Sequence, residues 1–397
     1  MKSLKEAQNI FRSRFGPDHK TGIALVKAEE SDGRITAEPV FAKSSAPTYH
    51  ASAMDGIAVR AEQTYGATER NPITLALQTD VVWVNTGQPL PKPFNAVIMI
   101  EDVHQVDDGH IEIRSSAYPW QHVRKVGEDI VATQLLFPQN HSIRPYDIGA
   151  LISGGVFSLN VRKRPRVAII PTGSELICHD DISKGEPFGE GRIVEYNARV
   201  LAALVRECGG IPLVHPIVSD SQEDIKKVLG QSVDAEADVV IINAGSSAGS
   251  RDFTVHAIAE MGEVLVHGVA MMPGKPTILG IVKGKPVIGN PGYAVSAALS
   301  FEQFVKPLLF TLQGISPPQK PTIEVYPTRD IPSKVGTEEF LRVNIGRVGE
   351  RHVATPLARA AGSITTLTRA EGIIRIPALS EGISQGQRAM AELLVDE

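Results

Sequence analysis

Residues 238–254 read DVVIINAGSSAGSRDFT. Four β-branched apolar residues, Val239, Val240, Ile241 and Ile242, predict a strand buried on both faces. A loop of small residues follows, with Gly245, Ser246, Ser247 and Gly249, and Asp252 stands where a helix should begin. A strand, a Gly/Ser loop and a helix start together make an anion cradle. The first helical N–H groups lack intrahelical partners, the dipole favours negative charge, and glycine lets a ligand come close. Asp252 beside such a loop can hold a divalent cation against bound phosphates. The plainer alternative is a helix cap after a simple turn.

Other polar loops follow buried-type strands. Thr172, Gly173, Ser174 and Glu175 come after the apolar run 167–170, and Ser219 and Asp220 after the strand expected over 212–218. Three such loops emptying onto one sheet edge point to a phosphate-bearing ligand more strongly than any one of them. Lys275, held between Pro273-Gly274 and Pro276, offers a positive point charge on a stiffened loop; alone it reads as a surface lysine in a turn. Upstream, Asp55 in Ser52-Ala53-Met54-Asp55-Gly56, Thr86 beside Gly87, and Asp129 after Arg124, Gly127 and Glu128 each read alone as turn residues.

The elements that must position these groups follow from periodicity. Residues 1–30 read as helix, with Phe11 and Phe15 one turn apart and Gly16 and Pro17 ending the apolar pattern. The β-rich stretch 34–124 carries strands near 73–77, 81–84, 96–100 and 110–113, with Asp108-Gly109 as a hairpin signal. From 166 to 314 strands and helices alternate, which predicts a largely parallel sheet covered on both faces. Helices are expected over 197–208, after the Ser221/Asp224 capping box, from Asp252 to 261, and over 294–312. Beyond Pro317, Pro318 and Pro321, alternating strands at 340–345 and 372–376 predict a small all-β domain.

At 397 residues the chain needs several domains, and 42% hydrophobic with 21% charged residues is globular composition. A formal net charge of −5 gives no nucleic-acid footprint. Cys178 and Cys208 lack metal-ligand spacing and fit a reducing compartment. No apolar run is long enough to span a bilayer, and the N-terminus reads as amphipathic helix rather than signal peptide, so a cytoplasmic protein without membrane contact is expected.

Taken in order, Ser52-Ala53-Met54-Asp55-Gly56, Thr86-Gly87, Arg124 with Gly127-Glu128-Asp129, Thr172-Gly173-Ser174-Glu175-Leu176, the 245–249 loop with Asp252, Pro273-Gly274-Lys275-Pro276 and Pro291-Gly292 resemble the motifs of molybdopterin molybdotransferases of the MoeA type, the family that includes gephyrin's E domain. The resemblance covers nearly the whole chain. It implies a multi-domain α/β plus β fold: a discontinuous N-terminal domain (1–33 and 125–163), a β-rich domain inserted in it (34–124), a central doubly wound α/β domain of molybdopterin-adenylyltransferase type (164–314) and a small C-terminal β-barrel domain (315–397). It implies a homodimer whose site lies between the α/β domain of one subunit and the domain around Asp55 of the other. The implied reaction is Mg²⁺-dependent insertion of molybdate or tungstate into adenylylated molybdopterin, releasing AMP. Asp55, Asp129, Glu175 and Asp252 would be catalytic, with Asp252, Asp220 and Glu175 able to hold Mg²⁺. Gly245, Ser246, Ser247, Gly249, Thr86, Thr172, Asp220 and Pro291 would bind the substrate. Lys275, Arg342 and Ser363 would receive the oxyanion through charge-assisted hydrogen bonds. The chain departs from the family pattern at Met272, where a lysine is usual, at Ala294, where a proline is usual, and at Ser174 and Ala244. Arg251 could restore charge lost at Met272. A non-catalytic cofactor-binding or scaffolding paralogue and a molybdopterin adenylyltransferase are the alternatives. Four carboxylates kept in four loops favour catalysis, and two extra β-rich domains weigh against the adenylyltransferase.

Overall fold

The computed structural model describes residues 1–183, 189–244 and 253–394. The chain forms two compact units, one from Met1–Gly22 and Arg162–Glu397, the other from Ile23–Val161.

The first unit is built on a six-stranded sheet. Ile211–Val214, Arg166–Pro171, Val239–Ala244 and Lys285–Pro291 run parallel in that spatial order, and Ile278–Val282 and Gly262–His267 add an antiparallel edge. The continuous apolar runs follow from burial on both faces. Val239 and Ile241, like Val167 and Ile169, enter one core with helices Asn197–Glu207 and Leu4–Arg14. Val240 and Ile242, like Ala168 and Ile170, enter the other with helices Gln222–Asp234 and Phe253–Met261. Ser221 caps the helix Gln222–Asp234 by accepting from Asp224 N–H at 3.1 Å. The long helix expected over 294–312 is present, but Phe301–Val305 is a π turn just before Pro307. Proline's missing N–H and its ring clash with the preceding turn account for the widening.

Thr322–Pro327, Glu338–Val348, Arg351–Pro356, Gly372–Ile376 and Ala389–Leu393 close into a five-stranded barrel around Val325, Leu341, Val343, Ala354, Ile374 and Ala391. Val269–Met272 joins it to the α/β layer by pairing in parallel with Glu338–Val348, Met271 beside Glu338 and Met272 beside Glu339.

Three sequence expectations change. Helix occupies only Leu4–Arg14, and Ile23–Lys27 is a strand. Residues 1–22 also belong with the α/β unit, because Leu4, Ala7, Phe11 and Phe15 are buried in its core. The strand expected over 212–218 is Ile211–Val214, followed by a single bridge between Val218 and Thr172.

In the second unit Gly56–Val59 is the centre of a three-stranded antiparallel sheet, flanked by Val81–Val84 and Ala96–Met99. Ile73–Ala76, His110–Ile113 and Val103–Gln105 form another, and the two share a core containing Ile57, Val59, Ile98, Ile111 and Ile113. The helix Pro145–Ser153 anchors a separate cluster with Leu151, Val156 and Val161.

Candidate active site

The parallel strands deliver their carboxyl ends to one level. Thr172 N–H donates to the Asn243 carbonyl at 3.0 Å, Gly173 N–H to Val218 at 3.2 Å, and Ala244 is in register with Pro291. A cavity of about 910 Å³ opens there. Its walls include Thr172, Glu175, Asn243, Lys275 and Pro291 of the α/β layer, and Lys334 and Arg359 of the barrel region. The walls are tied together where Val295 N–H donates to the Ala361 carbonyl at 3.0 Å and Asn197 Nδ2 donates to the Gly292 carbonyl at 2.6 Å. The volume suits a small-molecule ligand, and the mix of apolar wall and a few converging charges is the usual make-up of such sites.

Thr172, Glu175, Lys275 and Pro291 therefore come together. Glu175 is half-buried, and its carboxylate has no hydrogen-bond or ion-pair partner among the described residues. Gly173 has φ +157° and leaves room for it: a Cβ there would stand 3.0 Å from both Glu175 carboxylate oxygens. Lys275 is exposed on its loop and likewise unpaired among the described residues. Asp220 is exposed beyond Val218 and is not part of the cavity wall. Among the described residues no three His, Cys, Asp or Glu side chains are gathered as a metal site. Gly245, Ser246, Ser247, Gly249, Arg251 and Asp252 lie outside the described residues.

Arg342 is not part of the cavity wall. Its side chain is 1% exposed, and its guanidinium donates to the carbonyls of Phe340 (3.2 Å) and Ala358 (2.8 Å) and to Thr366 Oγ1 (3.3 Å). Among the described residues these hydrogen bonds are all internal to the barrel region. Ser363 is half-buried in the turn after Gly362, which lines the cavity, and its hydroxyl lies 3.4 Å from Thr365 Oγ1.

Sequence reasoning passed over three charged cavity residues: Glu195, Lys334 and Arg359. Glu195 is 8% exposed; burial pushes its carboxyl up, opposed by the hydrogen bond it accepts from Ala198 N–H at 2.8 Å as it caps the helix Asn197–Glu207. Met272 and Tyr293, both exposed, also line the wall.

The second unit joins Asp55 to Thr86. Asp55 Oδ1 accepts from Thr86 N–H at 2.7 Å and from Thr86 Oγ1 at 3.0 Å, and these donors hold its carboxyl below the usual carboxylate range. Ser52 Oγ braces the turn by donating to the Met54 carbonyl at 2.5 Å. Gly56 is required next: a Cβ there would stand 2.0 Å from the Ile98 carbonyl oxygen of the neighbouring strand. Asp129 is exposed in the loop after Val123–Arg124, with its N–H on the Ala46 carbonyl at 3.1 Å, and its carboxylate makes no bond to the Asp55–Thr86 pair.

Comparison with known proteins agrees along the whole chain. Residues 2–155 match the MoeA N-terminal region (domain I and II), 168–311 the Probable molybdopterin binding domain, and 324–394 the MoeA C-terminal region (domain IV). A Methanocaldococcus jannaschii protein named for molybdopterin biosynthesis is 33% identical, with 98% of each chain covered. A molybdopterin molybdenumtransferase 2 of Mycobacterium tuberculosis is 30% identical, over 95% of this chain and 96% of its own. The crystal structure of a molybdopterin biosynthesis MoeA protein from Pyrococcus horikoshii superposes with a TM-score of 0.84 at 31% identity, covering 100% of this chain and 99% of that one. The chain belongs to the MoeA-type molybdopterin molybdenumtransferase family.

Proposed function

We propose that this protein catalyses a late step of molybdenum cofactor biosynthesis: insertion of molybdate or tungstate into adenylylated molybdopterin, with release of AMP. The reading includes Mg²⁺ dependence and a cytoplasmic homodimer. No described helix is long and apolar enough to cross a membrane. The observation that carries the reading is the cavity at the carboxyl edge of the parallel sheet, where Thr172, Glu175, Lys275 and Pro291 meet.

Releasing AMP from a phosphoanhydride requires charge to be neutralised on phosphoryl oxygens while the attacking group is held in line. Lys275 supplies an ammonium, and Met272 and Tyr293 add apolar surface against which a pterin would lie. Magnesium keeps most of its ligands as water and phosphate oxygens and takes one or two protein carboxylates. Glu175, unpaired among the described residues, fits that demand, with Asp220 and Asp252 as further candidates. Bound there, Mg²⁺ would neutralise phosphate charge. Asp55, kept ionised by Thr86, is an acceptor suited to a substrate N–H or O–H, and Asp129 is the other carboxylate assigned to catalysis in this unit.

The test is to incubate the purified full chain with adenylylated molybdopterin and Mg²⁺, with and without molybdate or tungstate, and to follow AMP. Oxyanion-dependent AMP release is expected. Binding of the adenylylated pterin without turnover would replace this reading with a cofactor-binding role, and ATP consumption with free molybdopterin would replace it with adenylyl transfer.

A further inference from the structure

In the unit Ile23–Val161 a tryptophan stands on a backbone that resists it. Trp120 has φ +70°, and His122 has φ +53°. That left-handed region suits glycine and is uncommon for so bulky a residue. Hydrogen bonds hold the loop there: Trp120 N–H donates to the Asn95 carbonyl at 2.6 Å, Val97 N–H to the Gln121 carbonyl at 3.0 Å, and Ala53 N–H to the His122 carbonyl at 2.8 Å. Such strain persists only where the surroundings impose it, and it gathers at functional sites. Filling a core does not account for it, because Trp120 stays 39% exposed. Its ring meets that of His50 at 4.7 Å between centroids, and Lys125 Nζ stands 5.7 Å from its centre. His50 Nδ1 accepts from Val126 N–H at 3.2 Å, which makes Nε2 the donor of the neutral ring. Among the described residues the indole N–H, His50 Nε2 and Lys125 Nζ have no hydrogen-bond or ion-pair partner. Glu128 does not neutralise this ammonium: its carboxylate accepts from the Lys125 backbone N–H at 3.0 Å and lies 3.6 Å from Arg124 Nε. The cluster is tied to the loop that carries Thr86, since Tyr49 Oη donates to the Gly87 carbonyl at 3.2 Å and the His50 carbonyl accepts from Leu90 N–H at 2.8 Å.

Three donors beside a half-exposed indole suit a ligand that joins a flat ring to negative charge. Aromatic side chains stack on the faces of nucleobases, and an ammonium or an N–H takes the phosphate. The contact between Lys125 and the indole lies near the limit of about 6 Å for a cation–π pair, so little holds the ammonium in place. A loop already fixed by its own hydrogen bonds loses little freedom when a ligand binds. We propose that Trp120, His50 and Lys125 form a binding site for a purine nucleoside monophosphate, the base stacked on the indole and the phosphate met by Lys125 and His50 Nε2. The inference rests on the function proposed above and deepens it: the ligand is the adenylyl part of the substrate, taken up beside the loops that carry Asp55 and Thr86.

Calorimetric titration of the full chain with AMP, adenosine and inorganic phosphate at fixed ionic strength tests the site. Wild type is compared with Trp120→Gly, Trp120→Ala, Trp120→Phe and Lys125→Gln, each checked for a native circular dichroism spectrum. Trp120→Gly removes the indole and relaxes the backbone, so its urea midpoint is expected above that of Trp120→Ala. It is expected to weaken AMP and adenosine alike by roughly five- to a hundredfold, with Trp120→Phe between it and wild type. Lys125→Gln is expected to weaken AMP about tenfold and to leave adenosine unchanged. If the glycine and alanine variants do not fold, Trp120→Phe and Lys125→Gln decide the matter. Wild-type AMP affinity in folded Trp120 variants overturns the site, and so does a wild type that binds phosphate as tightly as AMP or binds no AMP. Oxyanion-dependent AMP release by that same wild type leaves the proposed function intact. AMP held through Trp120 by a chain that never releases it from adenylylated molybdopterin overturns the proposed function and keeps the nucleotide site.

Discussion

Asp55 shows how much one hydroxyl and one amide do to a carboxylate. Both donors favour the charged form, so the acid stays ionised further into the acid range than a free aspartate. Thr86→Val removes the hydroxyl and keeps the amide. The Asp55 carboxyl is expected to move up towards its ordinary value, about 3.9, and the acid limb of activity to shift to higher pH with little change at neutrality. A carbon-detected NMR titration of Asp55 in the full chain reads this directly; an unmoved titration would show that the Oγ1 contact contributes nothing. The motifs picked out Thr172, Glu175 and Lys275, and these line one cavity. The burial of Arg342 was not legible, since its place in the run Phe340 to Val343 reads as a surface-facing strand position. The face it occupies is covered instead, by the segment carrying Ala358 and the helix Thr365–Arg369. Arg359 carried no signal, being a lone arginine in a loop whose partner Glu339 is twenty residues away.

At the scale of elements, the sheet was written in composition: residues 239–242 alternate between two cores, as a strand covered on both faces must. What periodicity could not give was the level at which the loops meet, since that depends on register between strands distant in sequence. Helix starts have local causes. At Pro145–Ser153 the Asp147 side chain accepts from Arg144 N–H at 2.9 Å and is held by the Arg144 guanidinium and by His141 Nε2 at 2.7 Å. The Arg144 guanidinium foremost, with His141 and the amide, holds this buried carboxyl well below the usual range despite desolvation. A depressed folded value means stability that is fully present above the unfolded value and lost as pH falls through the folded one. Asp147→Asn is expected to destabilise the unit by on the order of 2 kcal/mol at neutral pH. The gap from wild type should narrow below about pH 4. Denaturant titrations across that range check it; a gap constant down to about pH 3 would show that the carboxylate's charge is not what stabilises the helix start.

At the scale of the molecule, the chain enters the α/β unit for Met1–Gly22, leaves it for Ile23–Val161 and returns. The spacing of Phe11 and Phe15 revealed a helix with an apolar face but not which core would bury it, because an amphipathic stripe does not name its partner. The barrel and the α/β layer meet through Val269–Met272, and that pairing puts the loops of both around one cavity. The central claim is that the oxyanion meets the pterin nucleotide in this cavity. It is tested most directly by locating tungsten through its anomalous scattering in crystals of the full chain grown with adenylylated molybdopterin and tungstate. The account predicts a tungsten peak in the cavity, within reach of Lys275; tungsten bound elsewhere on the chain, with none in the cavity at saturating tungstate, would contradict it.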